Sequence, residues 1–118
     1  MDRVLGVETE YGLSARSGGR RLSAPEAAEL LIKTAIAELG KVDILVNNAG
    51  ITRDDLIMRM SYDAWKEVID TNLSGAFYCM REALPGMLEA GWGRVVNVAS
   101  IAGKTGYAYI SAYAASKH

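Results

Sequence analysis

Tyr113 and Lys117 are four residues apart in a segment that begins like a helix, so their side chains are predicted to share one helix face. An ammonium beside a phenol favours the ionised phenolate, and such a pair suits general acid–base chemistry. The same spacing also occurs on ordinary helix surfaces, where the contact contributes only a few tenths of a kcal/mol. Taken alone, the pair is compatible with both interpretations.

Three further polar features favour chemistry. Ser100 follows a predicted strand and precedes Tyr113 by 13 residues, so that both hydroxyls could reach one substrate oxygen. Asn72 lies among the apolar positions of a predicted helix, where an amide needs a partner. The stretch Asn-Asn-Ala-Gly at 47–50 ends a buried strand with small residues, which lets a ligand approach the backbone closely. An ordinary strand-exit turn would have the same composition.

Hydrophobic periodicity predicts the elements that must position these residues. The predicted strands are 3–9, 42–46 and 94–99, and the predicted helices are 24–39, 62–84 and a last one that begins near Ser111. The strand at 42–46 is a nearly continuous apolar run, which is typical of a strand buried on both faces. Glycine and polar residues predict loops at 12–21, 47–55 and 100–110.

Local signals mark the helix ends. Ser23 and Glu26 have capping-box spacing, and Gly40 follows the last apolar position of the first helix. Ser61 is predicted to cap the second helix, and Pro85 with its following glycine is predicted to kink or interrupt it near its end. The positions expected to form the apolar face of this helix are Trp65, Val68, Ile69, Leu73, Ala76, Phe77 and Met80.

The alternation of strand and helix predicts an α/β fold, a partial Rossmann-like doubly wound parallel sheet of about three strands. Strands 42–47 and 94–99 should be parallel neighbours. The N-terminal strand should pair beside 42–47 and cover its otherwise open edge. Ligands of such sheets bind outside the carboxyl ends of the strands, so the loops at 47–55 and 100–110 are the predicted site.

The composition restricts the class of protein. A chain of 118 residues with 50% hydrophobic and 23% charged residues is predicted to fold. It has no apolar run of the ~20 residues that a membrane span needs. The formal charge of -1 gives no electrostatic footprint for nucleic acid or an anionic membrane. Because Cys79 is the one cysteine and residues 1–10 show no secretory signal, we expect a cytoplasmic protein.

Residues 38–118 resemble the short-chain dehydrogenase/reductase family, in particular its 3-oxoacyl-carrier-protein reductase and acetoacetyl-CoA reductase group. The blocks that carry the resemblance are VDILVNNAGITRD (42–54), WKEVIDTNLSGAF (65–77), GRVVNVASIAGKTG (93–106) and YAASK (113–117). The resemblance implies an NAD(P)-dependent ketoreductase of fatty acid metabolism that transfers hydride to a 3-ketoacyl thioester or similar ketone. It favours NADPH over NAD and implies dimers or tetramers.

The same resemblance implies a role for each residue. Tyr113 would protonate the developing alkoxide, while Lys117 would favour the ionised phenol and hold the nicotinamide ribose. Ser100 would position the substrate carbonyl, and Asn72 would anchor a water in the proton relay. The cofactor cleft would be lined by Asn48, Ala49 and Gly50 together with the tyrosine and the lysine.

The sequence departs from that family in three places. The family's glycine-rich phosphate loop has no counterpart, since neither GVETEYG (6–12) nor SGGRR (17–21) fits it. The chain stops one residue after Lys117, so a helix that contributes to the family's dimer interface is cut short. Gly91 stands where carrier-protein reductases tend to have a basic residue. We therefore expect a truncated enzyme that is weakly active or inactive as this chain.

Residues 1–33 resemble a different family, the Pup (prokaryotic ubiquitin-like protein) ligases and depupylases. The resemblance implies that Glu8 is a Mg²⁺ ligand of an ATP-dependent carboxylate–amine ligase. Glu8 and Glu10 are two apart at the end of a predicted strand, so both carboxylates point to one face if the extended chain continues to Glu10. A solvated strand face has the same pattern.

Residues 1–118 are thus interpreted as one α/β domain of composite origin. Residues 1–33 resemble the ligase strand and helix, and 34–118 resemble the central part of a reductase domain. Three functions stay open: a ketoreductase, a fragment of an ATP/Mg²⁺-dependent ligase, and a catalytically silent folding unit. A natural fusion, an assembly fragment and an engineered chimera all fit the sequence.

Overall fold

A computed structural model describes residues 4–7, 16–17 and 19–118. The strands are β1 (Val4–Val7), β2 (Arg16–Ser17), β3 (Arg20–Arg21), β4 (Ile44–Asn47) and β5 (Arg94–Asn97). The helices are α1 (Ala24–Leu39), α2 (Tyr62–Ile69), α3 (Gly75–Glu89) and α4 (Ser111–Lys117). A π-helical turn (Asp70–Ser74) joins α2 to α3, and a 3₁₀ turn (Ile101–Gly103) precedes α4.

Three strands form a parallel sheet in the order β1-β4-β5. Val4 lies opposite Ile44 and Ile44 lies opposite Arg94, so the three strands are in register. This confirms the predicted α/β fold, the parallel pairing of 42–47 with 94–99, and the placement of the N-terminal strand beside 42–47. Strands β4 and β5 are each four residues long, shorter than the sequence pattern predicts.

Helix α1 begins as predicted, with the Glu26 carboxylate accepting hydrogen bonds from the Ser23 backbone N–H at 2.8 Å and from its hydroxyl at 2.7 Å. Arg20 adds a bidentate contact to the same carboxylate, with one N–O distance of 2.9 Å. The hydrogen bonds from Arg20 and then from Ser23 lower the pKa of Glu26 to about 2. The helix ends at Gly40, whose backbone φ of 87° is rarely adopted by residues that carry a side chain.

Helices α1 and α3 pack against each other and against β4 around one apolar core. Its buried members are Ala28, Ile32, Ala35, Val42, Leu45, Cys79, Ala83 and Met87. Burial also raises the pKa of the Cys79 thiol. A second, smaller cluster of Ile51, Val68 and Ala112 joins α2 to α4. No helix within the described ranges has the length and apolar character that a membrane span requires.

The prediction of a loop at 12–21 is wrong for residues 16–17 and 20–21, which form strands. Strands β2 and β3 form a two-residue antiparallel ribbon, with Arg16 opposite Arg21. Gly19 lies in the connection with a φ of 82°, a conformation open to glycine at little cost, and this lets the chain reverse there. Its composition alone looks like that of an irregular loop.

Of the predicted kink or interruption of the second helix at Pro85, the interruption is wrong. Helix α3 runs through Pro85 to Glu89, and the exposed proline costs the helix one backbone donor without ending it. The irregularity lies earlier, at Asp70–Ser74, where the Gly75 N–H bonds the Asp70 carbonyl in π-helical fashion. The capping of this helix by Ser61 is confirmed, since its hydroxyl accepts from the Ala64 N–H at 3.1 Å.

Several apolar side chains lie on the outside rather than in the core. Trp65, Leu73 and Phe77 are exposed, although periodicity predicts them on the buried face. The face of α3 that meets α1 is built from the smaller Cys79 and Ala83 with Met87, which allow the helices to approach closely. Strand β4 is fully buried only at Leu45, with its other residues half-buried.

Candidate active site

A cleft of about 490 Å³ lies where β4 and β5 end, at the carboxyl edge of the sheet. Its lining comes from the loop after β4, the exit of β5 and helix α4, and consists of Asn48, Gly50, Ile51, Thr52, Arg53, Val98, Ala99, Tyr113 and Lys117. The strand ends are held together by a 2.8 Å hydrogen bond from the Asn47 side chain to that of Asn97. Parallel pairing therefore brings segments about 50 residues apart into one site.

Lys117 is buried at this cleft, with 9% of its surface exposed. Its ammonium donates to the Val98 carbonyl at 2.9 Å, which ties the end of α4 to the exit of β5. Gly50 lies directly beside it: a Cβ on Gly50 would stand 3.3 Å from Nζ and 3.7 Å from Oδ1 of Asn72. The absence of a side chain at Gly50 therefore makes room for the buried ammonium.

Asn72 lies in the π-helical turn and is 8% exposed. Its Oδ1 accepts from the Ile51 N–H at 2.8 Å, and its Nδ2 donates to the Ile51 carbonyl at 2.9 Å. Nδ2 also donates to the hydroxyl of Ser116 at 2.9 Å. The amide that the sequence left without a partner thus holds the loop after β4 and contacts α4.

Tyr113 and Ser100 are placed differently. Tyr113 is half-buried and lines the cleft together with Lys117. Ser100 begins the 3₁₀ turn, with its Oγ accepting from the Ala102 N–H at 3.2 Å. Among the described residues, Ser100 and Ala49 do not line the cleft. The structure therefore brings together Asn48, Gly50 and the tyrosine–lysine pair, with Ser100 one residue beyond the lining residue Ala99.

A second cavity, of about 460 Å³, lies beside the first, between β5, α3 and the end of α4. Asn72, Ser116 and Lys117 line it, together with Phe77 and Met80. Because Lys117 lines both cavities, its side chain forms part of the partition between them.

Several contacts that hold the loops of the cleft could not be predicted from the sequence. Arg53 binds Glu67 of α2 in a fork, with N–O distances of 2.9 and 2.8 Å, and also donates to the Thr52 carbonyl. The Asp55 N–H donates to the carbonyl of Tyr109 at 2.9 Å, and Tyr109 has a φ of 74°. The contacts of Arg53 with Glu67 and of Asp55 with Tyr109 join residues 14 and 54 positions apart, for which the local sequence gives no signal.

Gly103 sets the approach of the 3₁₀ turn to the end of α4. A Cβ at this position would lie 2.1 Å from the Lys117 carbonyl oxygen, which is a backbone overlap. The ring of His118 adds a 2.7 Å contact from Nδ1 to the Gly103 carbonyl. Only a residue without a side chain allows the turn to pack this closely on the helix that carries Lys117.

The candidate metal ligand Glu8 and its neighbour Glu10 lie outside the described residues. Among the residues that are described, no group of three or more His, Cys, Asp or Glu side chains is arranged to hold a metal ion.

The fold and cleft fit a family match that covers most of the chain. Residues 19–118 match the family model described as short chain dehydrogenase, and the chain belongs to this family. It is 46% identical over 93 residues to 3-oxoacyl-[acyl-carrier-protein] reductase FabG of Vibrio cholerae, covering 79% of this chain and 38% of that protein. The corresponding reductase of Salmonella typhimurium is 42% identical over 107 residues, covering 89% and 44%.

A relative with a different name is similar to a comparable extent. The 2-dehydro-3-deoxy-L-rhamnonate dehydrogenase (NAD(+)) of a Sphingomonas species is 54% identical over 86 residues, covering 72% of this chain and 34% of that protein. The chain thus spans 34 to 44% of the length of these curated relatives.

The family match extends the reductase-like region towards the N-terminus. The resemblance noted from the sequence begins at residue 38, whereas the family match begins at residue 19 and includes all of α1. The likeness of residues 1–33 to Pup ligases, and with it the division of the chain at 33/34, stays a prediction.

Proposed function

We propose that this chain forms the central, catalytic part of an NAD(P)-dependent ketoreductase. One observation carries the proposal: Tyr113 and Lys117 of α4 line the same cleft as Asn48 and Gly50, at the carboxyl edge of a parallel sheet. A proton donor, a buried cation and unobstructed backbone in one cleft are what reduction of a carbonyl beside a nicotinamide requires.

The residues of the cleft fit the nicotinamide end of such a cofactor. Gly50 leaves open the space beside the Lys117 ammonium that a Cβ would fill, so a ribose could approach both. An ammonium has three donors, and Val98 accepts one of them, which leaves two N–H groups for ribose hydroxyls. The bound cofactor would supply the hydride that reduces the carbonyl carbon.

The protein side chains would handle the proton. The Tyr113 hydroxyl donates its proton to the carbonyl oxygen as that oxygen becomes an alkoxide, and the nearby ammonium of Lys117 stabilises the phenolate left behind. The Ser100 hydroxyl accepts from the Ala102 N–H and so keeps its own proton to donate to the substrate oxygen. Asn72 holds the cleft loop through Ile51 and is our candidate for the water site of the relay.

The substrate class follows from similarity. Relatives named 3-oxoacyl-[acyl-carrier-protein] reductase match 78 to 89% of this chain, so we infer a 3-ketoacyl thioester or a similar small ketone as substrate. We also infer NADPH as the preferred nicotinamide cofactor, because the resemblance favours it.

An exposed apolar stripe supports a homo-oligomer. Leu73, Phe77, Leu84 and Leu88 recur at intervals of four, seven and four residues along the π-helical turn and α3, and 40 to 77% of each is exposed. Large apolar side chains exposed on one helix face are typical of a surface that another protein surface covers, because that contact removes them from water. We infer that this face meets a second copy of the protein.

A segment replacement tests the proposed reaction. Residues 38–118 would replace the matching segment of the Vibrio cholerae reductase, and NADPH oxidation would be followed with acetoacetyl-CoA. We expect turnover with this segment and a loss of about 10²- to 10⁴-fold in kcat for Tyr113→Phe, since a positioned general acid contributes that much.

Tyr107→Phe is the matched control, because Tyr107 lies in the loop that leads into α4, is exposed and does not line the cleft. It should retain full activity. A folded replacement enzyme that binds NADPH but shows no turnover would contradict the proposed function. Activity that survives Tyr113→Phe would contradict the role of the tyrosine.

A further inference from the structure

We propose that Ser116 is a positioning residue that couples the helix of the proton donor to the loop lining the cofactor cleft. This inference rests on the proposed ketoreductase function. Ser116 lies between Tyr113 and Lys117 in the chain, is 7% exposed and does not line the main cleft. It would therefore act through its neighbours, without contacting substrate or cofactor.

The hydrogen bonds of Ser116 join two parts of the site. Its hydroxyl donates to the Tyr113 carbonyl at 2.8 Å and accepts from Asn72 Nδ2 at 2.9 Å. Asn72 in turn holds both backbone groups of Ile51, which lines the cleft next to Gly50. A continuous series of hydrogen bonds thus runs from the backbone of Tyr113 to the loop after β4.

Proton counting fixes the direction of this series. A serine hydroxyl has one proton, and here it goes to the Tyr113 carbonyl, so towards Asn72 the oxygen can only accept. The Ile51 N–H needs an acceptor and the Ile51 carbonyl needs a donor. One orientation of the Asn72 amide satisfies all three of its hydrogen bonds. In the reverse orientation, the amide NH₂ would face the Ile51 N–H, and the amide oxygen would face the Ile51 carbonyl and the Ser116 oxygen.

Loss of the Ser116 oxygen would leave one buried Asn72 N–H without an acceptor and would release α4 from the π-helical turn. Helix α4 packs on the π-helical turn, on the 3₁₀ turn and on α2, so its position depends on such contacts. The Lys117 ammonium would still bond Val98, so the expected effect is a shift of Tyr113 relative to the cleft loop and not a loss of the fold. A shift of about half an ångström lowers kcat about tenfold.

The first test uses the 118-residue chain and needs no turnover. Amide hydrogen exchange would be measured by NMR for the Ile51 backbone N–H and the Asn72 side-chain N–H groups. We expect Ser116→Ala to speed exchange at these groups at least about fivefold more than global stability changes explain. Ser111→Ala is the matched control: of the described residues, Ser111 of the same helix has a buried hydroxyl without a hydrogen-bond partner.

The second test uses kinetics in the replacement enzyme described above. Ser116→Ala should lower kcat about tenfold with less than a twofold change in the KM for NADPH. Ser116→Thr keeps the hydroxyl and should restore kcat to within about threefold. In an Asn72→Ala background, removal of the Ser116 hydroxyl should change kcat less than about twofold, because the two act as a unit.

The outcomes separate this inference from the proposed reaction. The coupling role would be overturned if the Ile51 and Asn72 N–H groups exchanged at equal rates in Ser116→Ala and Ser111→Ala. It would also be overturned if Ser116→Ala lowered kcat in the Asn72→Ala background as much as it does in the otherwise unchanged enzyme. Faster exchange at Ile51 in an enzyme without turnover would support the coupling while contradicting the ketoreductase function. The inference would also be overturned if Ser116→Thr showed wild-type exchange at the Ile51 N–H but did not restore kcat.

Discussion

Gly50→Ala should impair catalysis by displacing a single buried cation. The new Cβ would stand 3.3 Å from Lys117 Nζ and 3.4 Å from its Cε, whereas optimal carbon contacts lie at about 3.5–4.0 Å. The φ of Gly50 lies outside the positive range, so alanine adds no backbone strain. The ammonium must therefore move by about 0.4 Å, away from the space where the ribose would bind.

The displacement sets the size of the effect. If a misplacement of 1 Å costs about 100-fold in rate, a logarithmic scale gives about sixfold for 0.4 Å. We expect kcat/KM for NADPH-dependent reduction to fall about sixfold in the replacement enzyme, and Gly50→Val to cost more because its methyl groups extend farther. Both would be measured by initial rates, with unfolding curves to confirm that each variant is folded.

Gly86→Ala provides the control. A Cβ on Gly86, inside α3, would meet nothing within 4 Å, so activity should stay unchanged while stability rises by about 0.5–1 kcal/mol. The reasoning would be refuted if Gly50→Ala kept the wild-type kcat/KM, or if Gly86→Ala reduced it as much.

Two further predictions concern stability and assembly. The pKa of Glu26 falls from 4.5 to about 2 in the folded chain, so its stabilising effect is complete above pH 4.5 and is lost as the pH falls through 2. Urea unfolding should show Glu26→Gln less stable than wild type at pH 7 and equally stable below pH 2, and an equal gap at both pH values would exclude this explanation. Leu84→Glu, at the centre of the exposed stripe on α3, should shift the full chain towards monomer in light scattering after size-exclusion chromatography. Met58→Glu, which changes an exposed apolar residue outside the helices, should not, and an unchanged mass for Leu84→Glu would rule out that face.

The sequence was sufficient to predict the parallel sheet and most helix ends, because these depend on periodicity and local capping. Ser23, Ser61 and Gly40 act within one turn of their own position, so their signals can be read locally. The pairing of β1 with β4 followed from the need to cover an open strand edge.

The irregular features could not be predicted in the same way. The π-helical turn contains Asn72, whose side chain hydrogen-bonds Ile51 and Ser116, residues 21 and 44 positions away. Pro85 was expected to kink or interrupt a helix, but α3 continues to Glu89, with Cys79 and Met87 packed in the core on either side of the proline. In the candidate site, residue types pointed to Tyr113 and Lys117, whereas the positioning contacts of Ser116 and Arg53 needed the tertiary structure.

The π-helical turn also lets a single long helix serve two different neighbours. An α-helix advances about 100° per residue, so the wider turn at Asp70–Ser74 changes the direction in which all later side chains point. Before it, Val68 packs with Ala112 of α4 and Ile51 of the loop after β4. After it, Cys79 and Ala83 face α1. Deleting one residue from the turn would leave both halves helical but rotate the core-facing half out of phase with the site-facing half. The length of this turn thus sets the rotation, about the helix axis, of the residues that pack in the core relative to the residues that pack beside the cleft.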